Sequence, residues 1–203
     1  LAEVDAEARD TEYQRLISHF EQQGALNREL EFIPSEDALS ERKSYGKYLV
    51  RPELSVLVSY AKLSFKQSLA QSAIAEDACV SKEAYTAFPP AVVEQYAQEI
   101  DQHQLNKEIV ATQVANEVVN RMGISFVHRM QQATGESEET IARAYIACRN
   151  LFEIEKYWQA IEALDHKVDT EIQYEMFTQL IRLVRRSTLS LIHISEPTRP
   201  QAI

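Results

Sequence analysis

A stretch from Leu105 to Met130 places apolar residues at helical spacing and carries amides and basic residues among them. Apolar and small side chains that recur at steps of three and four residues are typical of the buried face of an α-helix. The members of this predicted face are Leu105, Ile109, Thr112, Ala115, Val119 and Met122. The stretch therefore predicts a central buried helix or helix pair. Gly123 marks close packing or a short break, because glycine costs about 1 kcal/mol inside a helix.

Three polar residues lie close to the same predicted face: Asn116, Asn120 and Arg121. A buried polar group without a hydrogen bond costs about 1–3 kcal/mol. We therefore expect these side chains to make specific contacts between helices.

The fold class follows from the scarcity of turn residues. The chain has only 4 glycines and 6 prolines in 203 residues, and a many-stranded sheet needs these residues in its turns. The composition predicts an all-α fold, either a multi-helix bundle or an orthogonal helical array.

Local signals predict where several helices begin and end. Gly24 is placed to end the first helix, and Ser35 to cap a short second one. Pro52 suits the first position of an apolar helix, where its missing N–H is not needed. Ser137 opens a later helix with two acids in its first turn.

The last clear helix begins with Asp169 or Thr170 as its cap. Three arginines near its end, Arg182, Arg185 and Arg186, are expected to complement the negative C-terminal end of the helix dipole.

The charge balance and the length of the apolar runs argue against two classes of partner. With a formal net charge of -10 and a pI near 5.0, the chain lacks the net basic character that phosphate contacts require, so no nucleic-acid partner is predicted. No run approaches the roughly 18 apolar residues of a spanning helix, so no membrane partner is predicted.

Cysteines, histidines and glycines give no sign of a metal or nucleotide site. Cys79 and Cys148 lack metal-type pairing, and the five histidines show no close ligand spacing. We expect two buried reduced thiols, as in a cytosolic protein, although a disulfide between them stays open. No glycine-rich phosphate loop can be drawn.

Two catalytic interpretations have simpler alternatives. A lone histidine in an apolar segment, such as His128, is more often a hydrogen-bonded core or surface residue than a general base. The acids Glu136, Glu138 and Glu139 could form a paired-carboxylate site, but the dipole at a helix start explains them as well. We favour structural roles for both sets.

Three strings occur in a fixed order: ELEFIPSEDALSERK, LVRPELSVLVSYAKL and EIVATQVANEVVNRMGISFVHRMQQATG. Together with the Phe88, Pro89 and Pro90 element and the string AIEALD, they resemble the C-terminal helical region of the large bacterial NAD-specific glutamate dehydrogenases. The resemblance covers residues 16–188.

The resemblance implies a parent enzyme that oxidatively deaminates L-glutamate to 2-oxoglutarate and ammonia, with NAD as the hydride acceptor. It also implies a cytoplasmic bacterial protein and a homo-oligomer in which this segment contacts the upstream catalytic region. In that family the catalytic lysine and aspartate and the dinucleotide-binding domain lie upstream. No catalytic, cofactor or metal residue is therefore carried over, and we expect this segment to bind no cofactor.

The resemblance also marks family-motif positions, for which we expect a structural role. They are Arg51, Pro52, Glu53, Leu54, Tyr60, Ala61, Lys62, Asn116, Glu117, Asn120, Arg121, Met122 and Gly123. The segment is thus expected to be a non-catalytic structural or oligomerisation module that is inactive alone. The alternative, which rests on the acidic, multi-helix composition alone, is a free-standing acidic helical interaction protein with no enzymatic parent.

The string LSLIHISEPTR at residues 189–199 resembles the translation of a sequencing adapter. We accordingly predict an N-terminal helical segment and linker at 1–47 and a helical module at 48–188. The remainder, 189–203, is predicted to be an artefactual, disordered tail.

Overall fold

A computed structural model describes residues 2–195 of the chain. Within that range the regular structure is entirely helical, which confirms the predicted all-α class. The α-helices are α1 (Ala2–Gln22), α2 (Glu36–Ser44), α3 (Arg51–Ala70), α4 (Pro90–Asp101), α5 (Asn106–Met122), α6 (Phe126–Thr134), α7 (Glu138–Leu151), α8 (Ile154–Glu162) and α9 (Thr170–Ser195). Two 3₁₀ helices, Ile74–Glu76 and Ser81–Ala87, lie between α3 and α4.

The helix boundaries follow the local signals closely. The Ser35 hydroxyl accepts a hydrogen bond from the Ala38 N–H at the start of α2, and the Ser137 hydroxyl accepts one from the Thr140 N–H at the start of α7. Each bond satisfies one of the N–H groups that a helix start leaves without a partner. Gly24 follows α1 with a φ of 68°, a left-handed conformation that glycine adopts freely.

Helix α5 lies at the centre of the fold and packs against α3, α6, α7, α9 and both 3₁₀ helices. Its buried residues are Val110, Ala111, Val114, Ala115, Val118, Val119 and Met122. The central helix is therefore confirmed, but the predicted face is rotated. Leu105 is 55% exposed just before the helix, and Thr112 is half-buried. Because α5 has neighbours on several sides, its apolar face is wider than the single stripe that the periodicity indicated.

The break at Gly123 separates α5 from α6. Gly123 has a φ of 89° and a ψ of 165°, and a β-carbon added there would meet no atom within 4 Å. Of the two predicted roles, the structure therefore shows the short break and not the close packing.

Two clusters of buried apolar residues meet along α3 and α5. The larger one joins these helices to the 3₁₀ region and to α6 through α9. The smaller one contains Leu16, Ile17 and Phe20 of α1, which pack with α3 and with Val119 of α5. The N-terminal helix thus contributes directly to the core.

Helix α9 packs mainly on α7 and continues to Ser195, beyond the predicted end near residue 188. Ile192 is only 1% exposed. The prediction of a disordered tail is corrected for residues 189–195, because their apolar side chains continue the helical phase of α9. Residues 196–203 lie outside the described part of the chain.

Both cysteines are free thiols, Cys148 buried and Cys79 exposed, which corrects the expectation that both are buried. In the range 2–195, no helix combines the length and apolar character needed to cross a membrane. The same range holds no group of three histidine, cysteine or acidic side chains arranged to bind a metal ion.

Candidate functional site

A group of charged side chains lies where α5, α7, α8 and the second 3₁₀ helix meet: Glu83, Glu117, Arg121, Arg149, Glu155 and Glu162. We call it the charge network. Arg149 of α7 donates to both carboxylate oxygens of Glu83, with Nη1–Oε2 at 3.0 Å and Nη2–Oε1 at 2.5 Å. The side chains are 15% and 7% exposed. Such a two-point pair fixes the relative orientation of the helices that carry it.

Arg121 of α5 is the second cation of the charge network. Its guanidinium contacts Glu155 at 3.3 Å and Glu162 at 2.5 Å, so it joins α5 to α8. The same group lies 5.3 Å from the centre of the Trp158 ring, within the range of a cation–π contact. This position confirms the interhelical contact predicted for Arg121.

Glu117 lies between the two arginines. Its carboxylate is 4.0 Å from Arg149 and 3.9 Å from Arg121, and it accepts a hydrogen bond from the Tyr145 hydroxyl at 3.2 Å. Burial raises the pKa of Glu117 above its ordinary value, against the opposing effect of the two arginines. Burial also raises the pKa of the Tyr145 hydroxyl, and the negative charge of Glu117 adds to that effect.

The arginines remain charged in this environment. Burial alone would lower the pKa of Arg149, but the hydrogen bond and charge of Glu83 outweigh it and the pKa is raised. For Arg121, burial is likewise outweighed, chiefly by its hydrogen bond to Glu162. The charge network therefore holds two charged arginines among four carboxyl groups, those of Glu83, Glu117, Glu155 and Glu162.

A polar pocket of about 510 Å³ opens beside the charge network. Its lining residues are Glu83, Thr86, Gln113, Asn116, Glu117, Asn120, Arg149, Asn150 and Glu155. Most are uncharged amides or carboxylates already paired with arginine. The pocket can offer hydrogen bonds to a neighbouring segment, but its charges are engaged within the chain.

One asparagine of the family motif, Asn120, differs from the prediction. Asn116 is half-buried in the pocket wall, and Asn120 is exposed at its side. Asn120 therefore does not lie in a helix–helix seam. Asn120 comes one position after a buried residue of α5, and its side chain is exposed to solvent.

The motif around Pro52 forms the start of α3. Arg51 and Pro52 are exposed in the first turn, whereas Glu53 is 8% exposed. The Glu53 carboxylate accepts hydrogen bonds from the Val50 N–H and from Arg42, each at 2.8 Å. Glu53 thus caps α3 and ties it to α2.

Further along α3, the Tyr60 hydroxyl donates to Glu31 at 2.6 Å and its ring packs near Phe20. Lys62 is half-buried on the same helix. The motif residues therefore lie in two places: those of α3 hold the N-terminal segment, and those of α5 surround the charge network.

Sequence reasoning missed Glu83 and Arg149 as partners. They lie 66 residues apart, and neither belongs to a recognisable motif. One available signal was Arg149 itself, which follows buried Cys148 on a helix that is apolar over most of its length.

Comparison with known proteins identifies the family. The family model described as glutamate dehydrogenase, C-terminal, matches residues 46–202. The chain belongs to this family. It is 43% identical to an NAD-specific glutamate dehydrogenase of Pseudomonas aeruginosa over 188 residues, which are 93% of the chain. It is 44% identical over 87% of its length to the enzyme of that description from Halomonas elongata.

A more distant relative is the NAD-specific glutamate dehydrogenase of Mycobacterium tuberculosis, 28% identical over 92% of the chain. The aligned region is a small part of each relative: 12% of the protein from Pseudomonas aeruginosa and 11% of the other two. The chain therefore corresponds to one segment of much longer proteins.

Proposed function

We propose that this chain is the C-terminal helical part of a cytoplasmic bacterial NAD-specific glutamate dehydrogenase. Such an enzyme converts L-glutamate, NAD and water to 2-oxoglutarate, ammonia and NADH. The observation that carries the proposal is the 43% identity to the relative from Pseudomonas aeruginosa across 93% of the chain.

Within that enzyme we assign this segment a structural or oligomerisation role and no part in hydride transfer. The charge network supports this role, because Arg121 and Arg149 are bound to carboxylates of the same chain. A general acid or base must reach the reacting group of its substrate. Charges that hold helices to one another are suited to fixing a shape.

The exposed apolar residues at the corner between α7 and α8 support contact with further protein. Leu151 is 67% exposed, Phe152 47% and Tyr157 57%. Exposed apolar groups that form one patch are typical of interaction surfaces, and these three lie close together in sequence. We assign this corner to contact with the catalytic region or with a second subunit of the parent enzyme.

A direct assay tests the non-catalytic role. The purified chain mixed with L-glutamate and NAD is expected to produce no NADH by absorbance. Reproducible turnover that scales with protein concentration would show that hydride transfer takes place in this segment.

A chimera tests the supporting role. Residues 46–188 of this chain would replace the aligned segment of the Pseudomonas aeruginosa relative. We expect that relative to keep its activity and subunit assembly with the graft, and to lose both when the segment is deleted. Unchanged activity and assembly after deletion would contradict the supporting role.

Genomic sequence separates this proposal from a free-standing helical interaction protein. We expect the reading frame upstream of Leu1 to continue into a glycine-rich strand–turn–helix motif of a dinucleotide-binding domain. A start codon shortly before Leu1 would favour the free-standing protein.

A further inference from the structure

A second pocket, of about 460 Å³, lies between α1, α6 and α9, and we call it the arginine pocket. Its lining residues are Glu12, Arg15, Ser125, His128, Arg129, Met130, Gln132, Ala133, Arg185, Arg186 and Leu189. Pockets of this size hold small-molecule ligands in many proteins. It shares none of its lining with the charge network.

The arginine pocket is strongly basic although the chain as a whole is acidic. Four arginines from three helices line it, against a single acid, Glu12. That acid is already engaged: it accepts a hydrogen bond from Ser125 at 3.1 Å and pairs with Arg129 at 3.0 Å. The pocket keeps an excess of three positive charges in a chain of formal charge -10.

The crowding of arginines carries an electrostatic cost in the empty pocket. Arg185 is half-buried, and its pKa is lowered first by burial and then by the charges of Arg129 and Arg186. Like charges brought together in this way repel one another. An anion bound between them would relieve that repulsion.

The position of the basic residues on α9 also differs from the sequence-based expectation. Because α9 continues to Ser195, Arg185 and Arg186 lie well inside the helix. The negative charge at a helix C-terminus falls off within the last turn. The dipole therefore does not account for these arginines.

We propose that the arginine pocket binds a small multivalent oxyanion. The planar guanidinium group matches phosphate and carboxylate oxygens with two parallel hydrogen bonds. Ser125, His128 and Gln132 are further polar residues of the same lining; Ser125 donates to Glu12, and the His128 and Gln132 side chains are hydrogen-bonded to each other. An excess of three positive charges favours ligands with two or more negative charges over chloride. The proposal does not rest on the proposed dehydrogenase function, because it is argued only from lining residues of this chain.

Thermal unfolding of the full chain tests the site, with pyrophosphate as the probe and sodium chloride at matched ionic strength as the reference. A ligand that binds only the folded state stabilises it by RT ln(1 + L/Kd), where L is the free ligand concentration, so Tm rises with ligand concentration. We expect pyrophosphate to raise Tm above the chloride reference. Citrate tests whether multivalent carboxylates bind as well. A rise in Tm equal to that with pyrophosphate assigns the site to multivalent oxyanions in general, and a smaller rise assigns it to phosphates.

The double variant Arg185→Gln/Arg186→Gln should lose the response. We expect its pyrophosphate Kd to weaken at least tenfold, which corresponds to about 1.4 kcal/mol. Because the substitution removes like-charge repulsion, the empty variant should melt no lower than the original chain at low salt. Arg182→Gln is the control on the same helix: it removes one positive charge from α9, and Arg182 lies outside the pocket lining.

Two results would overturn the proposal: no rise above the chloride reference in the original chain, or an equal rise in the double variant. If the double variant does not fold by circular dichroism, Arg185→Lys/Arg186→Lys replaces it. That variant keeps the charge but loses the two-point geometry, so pyrophosphate binding must weaken while Arg182→Lys leaves it unchanged. Equal binding by both lysine variants would also overturn the proposal.

Discussion

Arg149 and Glu83 join parts of the chain that lie 66 residues apart, through two parallel hydrogen bonds from one guanidinium to one carboxylate. The pair connects the second 3₁₀ helix to α7 on either side of the central helix α5. Because both side chains are largely shielded from water, neither charge can be left alone without a large desolvation penalty.

The first prediction concerns this pair. Arg149→Met leaves the Glu83 carboxylate buried without its main partner and should lower the free energy of unfolding by about 3 kcal/mol. Urea denaturation followed by circular dichroism measures the change. Lys107→Met is the control, because its partner Glu76 is 69% exposed and such surface pairs contribute about 0–1 kcal/mol. Equal losses in the two variants would contradict the buried character of the Arg149 pair.

The second prediction concerns Arg121 and Trp158. The acids that Arg121 contacts on α8 are about half exposed, whereas Trp158 is 2% exposed. The stacking on Trp158 should therefore contribute more than the ion pairs. Arg121→Lys keeps the charge but loses the planar group, and should cost about 1–2 kcal/mol in urea denaturation.

The neighbouring Asn120→Ala provides the control for Arg121→Lys. Asn120 is exposed on the same helix, and surface substitutions usually change stability by less than about 0.5 kcal/mol. A cost at Asn120 as large as that at Arg121 would place Asn120 in a helix–helix contact after all.

The third prediction is that acid weakens the packing of α1 on α6. The rings of His19 and His128 are 4.4 Å apart between centroids. Burial lowers the pKa of both below the ordinary value of 6.5, and the charge of His19 lowers that of His128 further. At pH values between the folded-state pKa values and 6.5, the unfolded chain therefore binds more protons than the folded chain. This contribution to stability is complete above 6.5 and is lost as pH falls through the folded-state values.

Urea denaturation at about pH 7.5 and about pH 5.5 measures this loss. The double variant His19→Gln/His128→Gln should lose less stability between the two conditions than the original chain. Burial raises the pKa of Glu117 and Glu138, which acts in the opposite direction, but both acids are common to the two proteins and cancel in the comparison. An identical pH dependence would show that the histidines do not titrate in this range.

The fourth prediction concerns thiol reactivity. Cys79 is exposed, whereas Cys148 is buried and its pKa is raised by that burial. The thiolate is the reactive form, so Cys148 should be inert in the folded chain. A chromogenic disulfide reagent should modify one thiol per chain under native conditions and two in urea. Cys79→Ser should abolish the native reaction, and rapid modification of that variant would mean that Cys148 is accessible.

The helix starts and ends could be predicted from the sequence because they depend on a few adjacent residues. Ser35 and Ser137 cap their helices through hydrogen bonds to N–H groups three residues away. Gly24 and Gly123 mark breaks because their backbone angles are ones that other residues avoid.

The orientation of α5 could not be predicted in the same way. Small apolar residues such as Ala111 and Ala115 occur around much of the helix, so several faces fit a helical period. Which of them is buried depends on where α3 and α7 lie, and the periodicity of α5 does not indicate the positions of neighbouring helices.

Neither polar site could be predicted as a site. The pairing of Arg149 with Glu83 depends on the path of the chain across 66 residues. The arginine pocket requires Arg15 of α1 and Arg129 of α6 to meet the basic residues of α9. Tertiary packing determines these contacts between residues that are distant in sequence. A single sequence does not indicate which distant residues will be in contact.

The short break at Gly123 requires glycine because of its backbone angles and not because of a lack of space for a side chain. A side chain would have room there, but a φ of 89° with a ψ of 165° belongs to a region that is essentially restricted to glycine among L-residues. For a D-amino acid the same angles are mirror-equivalent to ordinary extended backbone. L-Alanine at position 123 should therefore destabilise the chain. D-Alanine introduced by chemical ligation should raise Tm, because it restricts the unfolded chain without straining the turn.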